Sequence, residues 1–141
     1  MRRSLALLTA LYLVAAYADL AGAQVLSAVY PSEAAFNAAV SPLRQAAQQN
    51  PRDAQTRYRL GLAYFHAWRQ FETGLIRYGR DYHRTAEAEF RAALAASPGH
   101  LGSLLALYSL LRLRGDWDAA EALLTDLSRL MLPRSEIPAV R

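Results

Sequence analysis

The sequence contains neither cysteine nor lysine. Without cysteine, the chain cannot form a disulfide, a thiolate zinc site or a thiol nucleophile. Without lysine, it cannot use Schiff-base chemistry or a phosphate-loop lysine. All 16 basic residues are therefore arginine, and they exceed the 12 acidic residues to give a formal net charge of +4.

Apolar runs long enough to form a membrane-spanning helix, which needs roughly 20 residues, are also absent. The apolar stretch Leu5–Ala18 is shorter and follows Arg2 and Arg3. This order is typical of a secretory signal peptide. Small residues near Ala23 predict cleavage between Ala23 and Gln24, and an uncleaved anchor is the alternative. The sequence therefore predicts export to the periplasm or cell envelope, with full secretion as a further alternative.

The remaining composition is that of one folded domain. With 53% apolar and 20% charged residues among 141, the chain is too apolar and too weakly charged to be disordered throughout. Its arginines are spread along the chain rather than gathered in one block. Together with the predicted export, this distribution leads us to expect no nucleic-acid partner.

Helical spacing of apolar residues dominates the sequence after residue 31, and no strand-like alternation of useful length occurs. Ser32 is expected to cap a short helix. Ser41-Pro42 is typical of a second helix start, because serine caps well and proline is tolerated in a first turn. Asn50-Pro51 would end that second helix.

Four further helices are expected downstream. Their predicted boundaries are Asp53 to Gly74 or Gly79, Asp81 or His83 to Ser97, 101–114, and Asp116 to Pro133. Short links between such helices produce antiparallel hairpins. The fold class predicted from the residues is therefore all-α.

Ala86 and Phe90 recur exactly 34 residues later as Ala120 and Leu124. The middle pair carries Leu60, Gly61, Tyr64, Ala86, Phe90, Ala93 and Pro98, and the last pair carries Leu107, Tyr108, Ala120 and Leu124. This pattern resembles the tetratricopeptide repeat, although Arg57 stands at the family's tryptophan position. The resemblance implies a short α-solenoid of stacked antiparallel hairpins.

The spacing between the two pairs departs from the family pattern, because Leu60 and Leu107 are 47 residues apart. About 13 residues are therefore inserted relative to the repeat length of 34. The predicted organisation is a signal peptide over 1–23, N-terminal helices and a partial repeat over 24–52, two hairpins over 53–133 with an insertion at about 66–82, and a tail over 134–141.

The resemblance implies a groove lined by the first helix of each pair. The residues expected there are Gln55, Tyr58, Arg59, Leu62, Phe65 and His66, followed by Leu105, Ser109 and Arg112. Aromatic residues in a groove suit a protein partner with an extended or apolar segment. The alternative is that the N-terminal helices of the chain fill the groove.

The insertion alternates aromatic residues with arginine. It holds His66, Trp68, Arg69, Phe71, Arg77, Tyr78, Arg80, Tyr82, His83 and Arg84. Both residue types are enriched at interface hot spots, and we predict a protein-binding loop. Two alternatives stay open: an extended helix and loop that pack on neighbouring helices, and a surface that contacts anionic lipid or glycan.

Nothing in the sequence indicates catalysis. His66, His83 and His100 lie 17 residues apart, whereas helical metal ligands lie three or four apart. Phosphate-binding glycine loops and nucleophile motifs are absent from the sequence. We therefore expect no enzyme activity, no metal and no cofactor.

The last helix carries Leu123, Leu127, Leu130 and Met131, and a solenoid usually ends in a polar helix. Self-association or a membrane surface would cover these side chains, unless they all turn inward.

The function predicted is a non-catalytic protein–protein interaction module, an accessory or scaffold subunit of a cell-envelope complex. The alternative is an envelope-surface binder of anionic lipid or polysaccharide that acts through arginine and aromatic residues.

Overall fold

The computed structural model describes residues 28–131, which form five α-helices and no strand. The helices are α1 (Glu33–Gln49), α2 (Ala54–Glu72), α3 (Tyr82–Ala96), α4 (Leu101–Arg114) and α5 (Trp117–Met131). The all-α prediction is confirmed for this part of the chain. The predicted signal peptide, its cleavage site and the tail lie outside the described residues.

Local capping determines several helix ends. Ser32 Oγ accepts a hydrogen bond from the backbone N–H of Ala35 at 3.2 Å, and Asp53 accepts from the N–H groups of Gln55 and Thr56. Gly115 ends α4 with a φ of 81°, a left-handed conformation that glycine adopts at no steric cost. The predicted helix starts at Ser32 and Asp53 and the predicted stop at Gly115 are confirmed.

One boundary prediction is wrong, because α1 continues through Ser41-Pro42 without a break. Pro42 has no N–H to donate to the backbone carbonyl of Ala38. Both residues are exposed. Water can therefore solvate that carbonyl. Phe36 and Val40 are buried on the other side of the helix. Burial of two such side chains contributes about 3 kcal/mol or more, which outweighs one lost hydrogen bond of about 1 kcal/mol.

The helix α2 is central, because it packs against α1, α3 and α4, while α5 packs against α4. The helices α2 and α3 are antiparallel, since Gly61 lies on Phe90 whereas Trp68, further along α2, lies on His83. Phe90 is fully buried where these two helices meet.

An aromatic cluster joins the chain before α1 to the loop over 73–81. Its rings are Tyr30, Phe36, Tyr64, Tyr78 and Tyr82, and those of the four tyrosines lie between 5.1 and 6.1 Å from the ring of Phe36. The hydroxyl of Tyr78 donates to the Tyr30 carbonyl at 2.8 Å, and that of Tyr82 donates to Glu33 Oε1 at 2.7 Å. The cluster therefore holds the loop against the start of α1.

Of the helices in the described range, none combines the length and the apolar character that crossing a membrane requires.

Candidate partner-binding surface

The residues predicted to line a groove on α2 are only partly available to a partner. Tyr58, Leu62 and Phe65 are half-buried and pack against the core, and Arg59 is also half-buried. The Tyr58 ring lies 5.2 Å from the His100 ring. This contact ties the first half of α2 to the start of α4.

His66 is exposed at the surface of α2, and its ring lies 6.0 Å from that of Phe65. Partial burial of the imidazole against its neighbours lowers the pKa of His66. Within residues 28–131, no group of three or more histidine and acidic side chains is placed to hold a metal ion.

The predicted insertion is divided between two elements. Residues 66–72 extend α2 by almost two turns, and residues 73–81 form the loop to α3. Trp68, at 5% exposure, packs on the His83 ring, and the Tyr78 hydroxyl is bound to Tyr30. Both side chains therefore stabilise the chain's own packing, and the expectation that Trp68 and Tyr78 contact a partner stays a prediction.

The arginines of the same segment are more accessible. Arg77, Arg80 and Arg84 are exposed, and Arg69 is half-buried. The Arg80 guanidinium lies 5.9 Å from the centre of the Phe71 ring, a cation–π distance. These arginines form a charged surface without the exposed aromatic rings expected of a protein-binding loop.

The exposed aromatic and arginine residues come together instead where α4 meets α5. The Arg112 guanidinium lies 5.6 Å from the centres of both the Tyr108 and the Trp117 rings. These residues, with Ser109 and Leu113, line an open depression of about 410 Å³. We call this set of five residues the Arg112 patch.

The Arg112 patch is apolar around a single cation. Trp117 is 61% exposed, and Leu105 and Leu113 are exposed on the same helix as Arg112. Among the described residues Arg112 has no ion-pair partner, although Glu121 lines an adjoining depression. An incoming carboxylate could therefore pair with Arg112 while apolar groups beside it cover the two rings.

Sequence reasoning identified Arg112 but did not include Trp117 among the candidate site residues. A signal was available, since Trp117 lies three residues before Ala120 and seven before Leu124, on one side of α5. Ala120 is buried, whereas Trp117 and Leu124 are exposed. The spacing thus predicts that Trp117, Ala120 and Leu124 lie on one side of α5. It does not predict which of them α4 buries.

The expected apolar outer face of α5 is only partly present. Leu127 is buried and Leu123 is half-buried. The side chains of Leu130 and Met131 lie outside the described set, so the prediction of self-association through this helix stays a prediction.

Charged pairs hold the helices that carry the Arg112 patch in place. Arg57 donates two hydrogen bonds to Glu89 across α2 and α3. Glu87 on α3 accepts from Arg91 at 2.8 Å and from Arg114, at the end of α4, at 2.6 Å. Burial alone would raise the pKa of Glu87, but the hydrogen bonds from Arg91 and Arg114 outweigh burial and lower it.

We expect Glu87→Gln to lower the free energy of unfolding by about 1 kcal/mol at neutral pH. A carboxyl whose folded-state pKa is lowered stabilises the fold above its ordinary pKa of 4.5, and this contribution is lost as pH falls through the folded-state pKa. The difference between variant and parent should therefore shrink in acid. Urea unfolding as a function of pH measures it, with Glu121→Gln on exposed α5 as the control. A difference that grows in acid would contradict the assignment.

A scan against protein-family models found no match to this chain. Searches of curated proteins and of solved structures likewise returned no significant match.

Proposed function

We propose that the chain is a non-catalytic protein-interaction module of the cell envelope and that it binds its partner through the Arg112 patch. The observation that carries the proposal is the exposed Arg112 guanidinium between the Tyr108 and Trp117 rings. Aromatic residues and arginine are the types most enriched at energetically dominant interface positions. The location in the envelope rests on the predicted signal peptide.

The partner fitted by this patch is a protein segment with a carboxylate beside apolar side chains. A carboxylate would pair with the Arg112 guanidinium, which has no acidic partner among the described residues. Apolar groups would cover Trp117, Leu105 and Leu113. The pair formed in this way would be partly desolvated by the rings, and it would therefore be stronger than a fully exposed ion pair.

The tetratricopeptide-like stacking of the hairpins is also part of the proposal. It is supported by the close approach of α2 and α3 at Gly61, where the family pattern has its small residue. Contacts of α4 with α3 and with α2 agree with the next hairpin lying alongside the first. On this interpretation four residues of the Arg112 patch belong to the first helix of the last repeat, where the groove was predicted, and Trp117 begins the second helix.

The test is co-purification from a detergent-solubilised envelope fraction with Trp117→Ser, compared with the parent chain. Removing an exposed aromatic hot spot should weaken binding of a stoichiometric partner at least tenfold, equivalent to about 1.4 kcal/mol. Leu75→Ser is the matched control, because Leu75 and Trp117 are both 61% exposed but only Trp117 belongs to the patch.

Arg112→Gln should weaken the same partner, and high salt should do so only partly, because the rings contribute independently of charge. Absence of any stoichiometric partner would refute the proposal. Equal recovery of the same partner by the parent, Trp117→Ser and Arg112→Gln would also refute it, because binding would then use another surface.

A further inference from the structure

Large apolar side chains that lie exposed are concentrated on the last two helices. Among residues 28–131, five of the seven such side chains belong to α4 and α5: Leu101, Leu105, Leu113, Trp117 and Leu124. Each of the five is between 42% and 61% exposed. A large apolar surface that stays uncovered on one part of a protein is typical of an interaction site.

The exposed sides of α4 and α5 form one continuous face. Trp117, Glu121 and Leu124 follow one another at spacings of four and three residues, which places them on one side of α5. Together with Tyr108 and Arg112 of α4, they line an open depression of about 420 Å³ that adjoins the Arg112 patch. We call these five residues the α4–α5 face.

Most charged side chains on and around α4 and α5 are paired. Arg114 binds Glu87 and Asp116, and Arg129 lies 3.5 Å from Asp126. Among the described residues, no charged side chain of α1, α2 or α3 lines the depression or the Arg112 patch. The charges of α4 and α5 without an ion pair in the same part of the chain are Arg112, Asp118 and Glu121.

One cation and one carboxylate on an apolar face make that face complementary to itself. A twofold rotation brings residue i of one copy against residue j of the other, and j against i. Because Arg112 and Glu121 line the same depression, two copies that meet there can form two Arg112–Glu121 ion pairs while their Trp117 and Leu124 side chains cover each other. A foreign carboxylate bound at Arg112 would instead lie beside Glu121 and be repelled by it.

We propose that the partner at the Arg112 patch is a second copy of this chain, and that the two copies form an isologous dimer through their α4–α5 faces. The inference rests on the proposed function, because it names the partner of the same patch. The Glu121 carboxylate, with Trp117 and Leu124 on its side of α5, is the carboxylate beside apolar side chains that the patch fits. Bringing α4 and α5 of both copies together removes from water the apolar groups that one copy exposes.

Charge reversal tests the pairing. The full chain, purified as the cell exports it, is examined by sedimentation velocity over a range of concentrations, and we expect a monomer–dimer equilibrium. Arg112→Glu alone and Glu121→Arg alone should each weaken dimerisation at least about tenfold, because each places like charges opposite each other twice in the dimer. An equimolar mixture of the two variants should recover the dimer, because both pairs then join a carboxylate to a guanidinium.

Glu72→Arg is the matched control. Glu72 is exposed at the end of α2, and its replacement changes the net charge by as much as that of Glu121 does, so this variant should dimerise like the parent. Within one chain Glu121 has no ion-pair partner among residues 28–131, and its replacement should leave helix content and the unfolding of the dissociated monomer unchanged. Glu121→Arg therefore keeps the test valid even if loss of the Arg112 ring contacts disturbs α4.

The outcomes separate this inference from the proposed function. A parent chain that is monomeric at every concentration would overturn the inference, as would a mixture of the two variants that stays monomeric. If the parent is monomeric and Trp117→Ser nevertheless loses an envelope partner, the proposed function holds and the inference alone fails. If Arg112→Glu and Glu121→Arg dimerise as well as the parent, the dimer uses another surface and the inference is overturned.

Discussion

Gly61→Ala is expected to destabilise the fold by about 2 kcal/mol, although alanine is normally the better helix former by up to about 1 kcal/mol. A Cβ atom at position 61 would lie 2.6 Å from Cε1 of Phe90 and 3.3 Å from the carbonyl oxygen of Ala86. The Phe90 ring is fully buried, with the rings of Tyr58 and Phe65 about it, and it cannot turn aside freely. Thermal unfolding should shift downward by about 10 °C.

A double-mutant cycle with Phe90→Leu tests the cause of that loss. Phe90→Leu alone removes buried apolar contacts and should cost about 1–2 kcal/mol. If the clash with the ring is responsible, the double variant should lose clearly less free energy of unfolding than the two single variants lose together. Strict additivity would contradict the close-packing explanation.

Gly102→Ala is the matched control within the same protein. A Cβ there would meet the Tyr58 ring at 3.0 Å, which is less severe, and Tyr58 is only half-buried. The ring can yield, so the cost should be offset by the better helix propensity of alanine. We expect a change below about 1 kcal/mol. A loss equal to that of Gly61→Ala would show that the helical glycines matter for a reason other than the contact with Phe90.

Phe36→Ala is expected to cost about 3–4 kcal/mol, the largest effect of a single substitution that we predict. Phe36 is 2% exposed and is in ring contact with Tyr30, Tyr64, Tyr78 and Tyr82. Its removal would leave a cavity between the start of α1, α2 and the loop. Because these rings attach the loop, amide hydrogen exchange over 73–81 should accelerate more than in α4.

Val40→Ala distinguishes loosening of the loop from general destabilisation. Val40 is fully buried on the same helix as Phe36, but it is absent from the aromatic cluster. This substitution should lower stability by about 2 kcal/mol and raise exchange through global unfolding, without a preference for residues 73–81. Equal exchange profiles for the two variants would contradict the role assigned to Phe36.

Burial raises the pKa of the Tyr78 and Tyr82 hydroxyls, and the hydrogen bond to Glu33 adds to this effect at Tyr82. Both groups consequently remain neutral hydrogen-bond donors at physiological pH, Tyr78 to the Tyr30 carbonyl and Tyr82 to Glu33 at the start of α1.

The helical class and most helix ends could be predicted from the sequence, because local interactions decide them. The helix over 101–114 was predicted with the bounds that the structure shows, since Gly115 adopts the left-handed conformation that stops it. The break at Ser41-Pro42 was predicted wrongly for the same reason: the local signal is real, but the buried face of α1 outweighs it. Local rules therefore fail where burial in a tertiary contact contributes more free energy than the local backbone preference.

The candidate surface could be predicted only in part. Arginine and aromatic residues were recognised as a group, yet Trp68 and Tyr78 pack internally whereas Trp117 is exposed. Residue type does not distinguish these cases, because a tryptophan on a helix is covered or exposed according to the element that packs beside it. Arg112 was selected from its helical position, and its binding role stays a prediction, while its two ring contacts depend on the turn at Gly115.

The sequence by itself determined the absence of thiol and lysine chemistry, the helical periodicity, the capped helix starts and the small residue at Gly61, because each depends on residue type or on neighbours along one helix. Only the tertiary structure decided that the segment after His66 divides into the end of α2 and a loop held by Tyr30 and Phe36. It also decided that Trp117 stays uncovered. These features depend on contacts between residues tens of positions apart, for which the free energy of burial, rather than local propensity, selects one arrangement.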